Sequence, residues 1–237
     1  MLYWCIFPSE VMIMKRIGII SAMWLEAELL HTRMTDVNTE IHAGMTYYTG
    51  RIGHAEVVLS TCGIGKVNAA IFTQIMIDRF CIDAIIHTGI AGSMDDRAGH
   101  AAVIVADGLT YYDVRPLQLE NCFPNRVIFP TDPELSRMLL THAGADALQG
   151  LVITGDDFIA DKARKAELKS RFPAALCVEM EGCAIANAAY VNGVPLAVVR
   201  CISDLANNAA AEDYNSFEQR AASRAAQIVL DTLADLS

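Results

Sequence analysis

The chain carries seven cysteines but no C-x-x-C pair, and the odd count argues against a disulfide framework. Cys5, Cys62, Cys81, Cys122, Cys177, Cys183 and Cys201 are scattered and mostly sit in apolar segments, which reads as buried free thiols in a reducing cytosol. The six histidines show no H-E-x-x-H or other tight ligand spacing, so neither a metal nor a cofactor is expected. The apolar patch at residues 2–7 is too short to span a bilayer, and no basic residue precedes it. There is no repeat, low-complexity tract or linker. Basic residues are scarce, 18 against 28 acidic ones, and the net charge of −10 argues against nucleic acid or an anionic membrane as the main partner. A small ligand in a local pocket is still compatible with that charge.

With 237 residues, 53% apolar and 19% charged, the chain fits one globular domain with a substantial core. Residues 1–13 do not resemble the rest and read as an N-terminal extension ahead of Met14, a degenerate signal peptide being the alternative. From Met14 onward, strand-like and helix-like segments alternate. Strands are expected at 17–21, 84–87, 102–106, 151–154, 176–178 and 194–202, with a hairpin formed by 47–51 and 55–61 around Gly53. Helices are expected from Trp24, from Lys66 to about Phe80, and over 131–142, 162–171, 181–191 and 212–236. The alternation implies one α/β domain, 14–237, around a mixed sheet.

One stretch sets charges among residues that otherwise read as buried. Val178-Glu179-Met180-Glu181-Gly182 follows a short strand, and Arg200-Cys201-Ile202-Ser203-Asp204 closes an apolar run opened by Gly193-Val194-Pro195. Asp204 is expected just past a strand's C-terminal end, where open α/β sheets hold their ligands. An unpaired carboxyl there tends to keep its proton, as a general acid must. Ordinary caps and ion pairs explain the same residues equally well. Gly63-Ile64-Gly65-Lys66 opens a helix and offers free backbone N–H groups to an anion, although it lacks P-loop spacing and the third glycine of a dinucleotide site. Thr88-Gly89-Ile90-Ala91-Gly92 follows a strand, where small residues let the backbone approach a ligand closely, although a tight turn is the plainer reading, and His87 reads as a satisfied core residue.

Taken in order, 17–23 with Glu26, 63–70, 87–92, 154–156 with Phe158, 178–181 and 200–204 resemble the 5'-methylthioadenosine/S-adenosylhomocysteine nucleosidases of the nucleoside phosphorylase superfamily. The resemblance runs from about Met14 to the C-terminus. It implies a three-layer α/β/α sandwich around a mixed sheet, a cytoplasmic homodimer, and hydrolysis that releases adenine from a purine nucleoside. It further implies that Asp204 donates a proton to adenine N7 and that Glu26 activates the attacking water, with Arg200 and Ser203 in support. Glu181 is implied to bind the ribose hydroxyls with Met180 against the sugar, Phe158 to stack on adenine, and the Ile159 backbone to read the purine edge. Val178, Glu179 and Ile90 complete the implied binding set.

Two carboxyls holding opposite protonation states at one pH require Asp204 to lie in a drier setting than Glu26. Ile90 stands where several members carry serine, Trp24-Leu25 replaces acidic residues, and the 111–124 loop differs, with Phe123 or Pro124 expected to reach a partner's pocket. Alternatives are an aminodeoxyfutalosine nucleosidase, a phosphate-dependent phosphorylase and a non-catalytic nucleoside binder. Glu26 argues against phosphate, which a carboxylate repels.

Overall fold

A computed structural model describes residues 16–236, so the expected extension at 1–13 lies outside the described residues. Ten strands and seven helices alternate in chain order. They are β1 (Arg16–Ser21), α1 (Trp24–Thr32), β2 (Thr35–His42), β3 (Met45–Ile52), β4 (Ala55–Thr61), α2 (Lys66–Phe80), β5 (Ala84–Ser93), β6 (Val103–Tyr111) and α3 (Pro116–Asn121). There follow β7 (Phe129–Pro130), α4 (Pro133–Ala143), β8 (Leu148–Thr154), α5 (Lys162–Arg171), β9 (Ala175–Glu179), α6 (Gly182–Asn192), β10 (Leu196–Asp204) and α7 (Ala210–Ala234).

The strands form one mixed sheet with helices on both faces, as expected for the α/β/α sandwich. Because strand side chains alternate in direction, neighbouring residues join opposite cores. Ile20, Val58, Ile85, Ile104 and Val198 pack with Phe72 and Met76 of α2 and with Ile185 of α6. Ile19, Leu59, Ile86, Val105 and Val199 pack on the other face with Leu30 of α1, Leu139 of α4 and Val229 of α7.

The sheet order is β10-β6-β8-β9-β5-β1-β4-β3-β2, and β10 also pairs with β5. One end therefore closes into a five-stranded ring while the other remains an open sheet. β5 belongs to both. It lies parallel to β1 over Ala84–His87 and to β10 from Ile85 to Gly92, and meets β9 antiparallel only at Gly92 and Ser93. Between His87 and Gly92 one flank of β5 thus pairs with neither β1 nor β9. A cavity opens at that gap.

Several boundaries differ from the sequence reading. The residues 88–92 expected to turn lie inside β5, which is buried throughout. The reason is the continuous pairing with β10, which holds both glycines extended. β2 escaped notice because it is a polar edge strand: five of its first seven residues are polar and all seven are exposed. The 111–124 segment is not all loop: it holds the end of β6 and the whole of α3, with proline in the first turn. Of the six described cysteines, all free, Cys81 and Cys122 are exposed.

Local chemistry fixes the pieces that frame the cavity. Asp161 caps α5 by accepting from the Ala163 and Arg164 amides, as Asp132 caps α4. After β8 the chain turns through Gly155, and the buried Tyr112 hydroxyl both donates to the Asp157 carbonyl, at 3.0 Å, and accepts from the Asp157 amide, at 3.1 Å. A Cβ on Gly155 would lie 2.2 Å from the Tyr112 ring. Gly155→Ala should therefore displace that ring and the Phe158 loop it clamps. The expected cost is about 1–3 kcal/mol, read as a lower denaturation midpoint with an unchanged slope in urea.

Candidate active site

The cavity, about 430 Å³, is walled by Ala22, Met23 and Glu26 from the β1–α1 junction and by Ile90 to Gly92 from β5. Val178 to Glu181 from the β9–α6 junction, Ser203 and Asp204 from β10, Phe158, Ile64, Ala211 and Tyr214 complete the lining. Ile159 lines a small recess beside it, shared with Phe158, Val178, Met180 and Asp204. Of the expected site residues, only Arg200 lines neither space; it lies beneath the wall. Met23 and Ile64 stood inside motifs quoted from the sequence but without a role, and Ala211 and Tyr214 were not singled out there. All four are apolar or aromatic, so only the fold could assign them to the lining.

Glu26 sits in the first turn of α1 with its carboxylate turned back. Its Oε2 accepts from the Ala22 and Met23 amides, both at 2.9 Å, and its Oε1 accepts from the Ile90 amide at 2.9 Å. The Ile90 amide is available because β5 has no strand neighbour there. Burial pushes the Glu26 carboxyl above the usual carboxylate range, with Arg200 and the three amides opposing.

Asp204 is the last residue of β10 and not beyond it, since its pairing with β5 extends to Gly92. Nor is it unpaired: Oδ2 accepts from the Ser203 hydroxyl at 2.9 Å and Oδ1 from the Ala206 amide at 2.9 Å. The expected contrast in dryness does not appear, because Glu26 and Asp204 are both 2% exposed. The α1 first turn tucks under the sheet end and covers Glu26 as fully as α7 covers Asp204.

Glu179 and Glu181 diverge in partners. Glu179 accepts from Thr154 Oγ1 and Arg200 Nη2, and from the Glu181 and Gly182 amides at 3.1 and 2.7 Å. It thereby stabilises the positive end of α6. Although burial works against it, Glu179 is drawn down to about 2, the Arg200 guanidinium foremost in outweighing the desolvation. Glu181 accepts from the Gly65 amide at 2.8 Å and lies 3.8 Å from Arg200. Burial and then the charge on Glu179 push it up to about 8. The glycine turn thus does cradle anions, but they are the chain's own: Glu181 on Gly65 and Asp156 on Lys66, the latter at 3.1 Å. Lys66 also pairs with Asp113 and Asp156, tying this turn to the loops after β6 and β8.

Phe158 stands half-exposed at the mouth, edge-on to Tyr214 with centroids 5.8 Å apart, and the Tyr214 hydroxyl reaches Met23 Sδ at 3.4 Å. Together these side chains bridge the opening from three different elements. Apart from Glu26, Glu179, Glu181, Ser203, Asp204 and the Tyr214 hydroxyl the lining is apolar, which suits a hydrophobic ligand held by a few polar groups. Among the described residues no group of three acidic, histidine or cysteine side chains could hold a metal ion. No described helix is long and apolar enough to cross a membrane.

A family model described as the phosphorylase superfamily matches residues 16–234, which sets the class. A 5'-methylthioadenosine/S-adenosylhomocysteine nucleosidase of Staphylococcus aureus is 36% identical over 220 residues, 90% of this chain and 96% of that protein. The crystal structure of an S-adenosylhomocysteine nucleosidase from Streptococcus pyogenes, in complex with 5-methylthiotubericidin, superposes with a TM-score of 0.89 at 36% identity, covering 94% of this chain and 98% of that one. A futalosine hydrolase of Helicobacter pylori gives 0.86 at 27% identity, covering 94% and 98%. The chain belongs to the 5'-methylthioadenosine/S-adenosylhomocysteine nucleosidase family of that superfamily.

The carboxyl shifts have a consequence for stability. Glu26 and Glu181 bind protons more tightly when folded than when unfolded, so their protonated forms favour the fold. That contribution is lost as pH rises from the ordinary carboxylate value of 4.5 through about 8 for Glu181. Glu179 acts oppositely, its stabilisation fading as pH falls from 4.5 toward about 2. Unfolding free energy should therefore decline across the range 4.5 to about 8, and Glu181→Gln should flatten the decline. Denaturant titrations at a series of pH values check both statements.

Proposed function

We propose that the chain hydrolyses the N-glycosidic bond of 5'-methylthioadenosine and S-adenosylhomocysteine, releasing adenine and the 5-thio-substituted ribose. The observation that carries this reading is the convergence of Glu26, Glu181 and Asp204 on one apolar cavity from three separate strand ends. It is supported by the naming of the Staphylococcus aureus and Streptococcus pyogenes relatives.

The division of labour follows from the chemistry. Adenine is a poor leaving group as an anion, so a proton delivered to N7 by Asp204 lowers the barrier as the ribose gains oxocarbenium character. Glu26 takes the proton of the attacking water, as one carboxylate does in inverting glycoside hydrolysis. Its raised carboxyl suits a base working near neutral pH. Glu181 receives the ribose hydroxyls, Met180 packs on the sugar, and Phe158 stacks on the purine over Val178 with the Ile159 backbone at its edge. Glu179, its oxygens committed inside the fold, holds Arg200. Ile90 supplies an amide to Glu26 and offers the ribose no hydroxyl.

Aminodeoxyfutalosine is the second substrate to test, given the Helicobacter pylori relative. The chain is expected to act in the cytoplasm and as a homodimer. Leu117 and Phe123 are exposed, as are Ile64 and Val67 beside the cavity, a surface that a second copy would cover. Phe123 or Pro124 of one protomer is expected at the partner's pocket. Light scattering should then give a dimer mass, and a fully active monomer would overturn the assembly.

Incubation with the three nucleosides, with and without phosphate, tests the reaction. Free adenine and 5-methylthioribose should appear from methylthioadenosine without phosphate, and strict phosphate dependence with a 5-methylthioribose 1-phosphate product would make the protein a phosphorylase. Asp204→Asn and Glu26→Gln should each fold, bind a substrate analogue and lose turnover by about 100-fold or more. Near-normal turnover in Asp204→Asn would reduce that residue to a structural cap.

A further inference from the structure

His87 is fully buried in β5, yet both of its ring nitrogens are engaged. Nδ1 lies 2.8 Å from the Ile20 carbonyl of β1, and Nε2 contacts Arg200 Nη2 from β10. A carbonyl oxygen only accepts and a guanidinium only donates. These two partners together require a ring with its proton on Nδ1 and a bare Nε2. Burial, and then the Arg200 charge, hold the imidazole below its usual value, so the ring stays in that form. Glu179 Oε2 stands 3.7 Å from Nε2 and is the competing partner for the same face.

Arg200 is the other half of the device. Its Nη2 is shared between His87 and Glu179, with Glu181 at 3.8 Å. Its Nη1 points the other way, toward Glu26: a Cβ on Gly89 would meet Arg200 Nη1 at 2.2 Å and Glu26 Oε1 at 2.4 Å. The guanidinium therefore lies between Glu26 on one side and the Glu179–Glu181 pair on the other. Three carboxylates pull on it, and His87 is an uncharged acceptor on the β5 side. Cys177 from β9 and Cys62, just past β4, are further ionisable groups facing this cluster, and burial pushes both thiols up.

We propose that His87 is a positioning residue for the hydrolysis, its Nε2 accepting from Arg200 so that the guanidinium stays shared between Glu26 and the ribose-side carboxylates. This rests on the proposed reading of Glu26 as the base. Without that acceptor, Arg200 Nη2 keeps only Glu179 as a partner, and the cation shifts toward that ionised carboxylate. Glu26 then loses part of the field that keeps it ionised. The base becomes harder to deprotonate, while the cavity wall, the purine stack and the ribose contacts are unchanged.

The test compares His87→Leu with His87→Gln, whose side-chain oxygen can occupy the position of Nε2 and accept from Arg200. His87→Leu should lower kcat by about 10- to 100-fold, the cost of misplacing a catalytic group by a fraction of its contact distance, with KM little changed. The acid limb of its kcat/KM profile should move to higher pH. His87→Gln should restore most of both. Nitrogen-15 NMR of the wild-type ring supplies a readout that needs no variant to fold: Nδ1 protonated and Nε2 bare from pH 5.5 to 8.5 is expected. A ring that titrates near its ordinary value, or carries its proton on Nε2, overturns the proposal. So does a folded His87→Leu with wild-type kcat and acid limb. Glu26→Gln measured in parallel separates the two readings. If it retains turnover, the base assignment fails, whereas a dead Glu26→Gln beside an unaltered His87→Leu sinks the positioning role alone.

Discussion

The burial of one guanidinium organises this molecule. Arg200 is 1% exposed in the middle of β10, and taking such a charge from water costs several kcal/mol unless partners surround it. Glu179 supplies the direct pair, Glu181 and Glu26 flank it, and His87 meets the same Nη2 that Glu179 holds, while the buried Nε has no hydrogen-bond partner. Each partner comes from a different part of the sheet: β9, the start of α6, the start of α1, and β5. Arg200 therefore joins the closed ring to the open sheet by charge as well as by strand pairing. Its surroundings also explain why Gly89 has no side chain. Any Cβ there would occupy the space between the guanidinium and Glu26.

The cavity exists because β5 changes partners. Below His87 it is a central strand between β1 and β10; at Gly92 it meets β9 instead. Over the intervening residues the backbone on that flank has no strand partner, and a buried unpaired amide is costly. Glu26 satisfies the Ile90 amide, so the first turn of α1 must come close and brings its carboxylate to the cavity wall. The same carboxylate closes the α1 terminus through the Ala22 and Met23 amides. A cap and the proposed catalytic position are here one arrangement, so the plain and the functional readings of Glu26 do not compete.

How much of this the sequence revealed depended on the kind of signal. Buried strands such as β1 and β10 and long helices such as α2 and α7 were legible because their apolar periodicity is strong. β2 was not, since a polar edge strand has no buried face to pattern it. The glycines of β5 misled for a definite reason. Glycine ordinarily marks a turn, but at Gly89 and Gly92 it marks the close approach of Arg200 with Glu26 and of Asp204. Asp204, Glu179 and Glu181 could be picked out because acidic residues among apolar ones are conspicuous, whereas Glu26 emerged only through the family resemblance. His87 could not, because an imidazole in a strand looks the same whether it fills space or receives a guanidinium. Met23, Ile64 and Tyr214 were hidden by resembling core.

Equal burial of Glu26 and Asp204 shifts the question of their different roles from dryness to hydrogen-bond partners. The amides of Ala22, Met23 and Ile90 that hold Glu26 can only donate, so they fit an ionised carboxylate and give no acceptor to an added proton. Asp204 has an ambivalent neighbour. The Ser203 hydroxyl donates to Oδ2 at 2.9 Å, and the Ala91 carbonyl lies within its reach at 3.4 Å. When Asp204 carries a proton, the hydroxyl can turn to Ala91 and accept from the carboxyl; when the proton leaves, it can turn back and donate. The Asp204 site thus keeps its hydrogen bonds in either protonation state, as a group that gives up and regains a proton each cycle requires. On the proposed reading, acid and base are distinguished by what their neighbours are able to donate or accept.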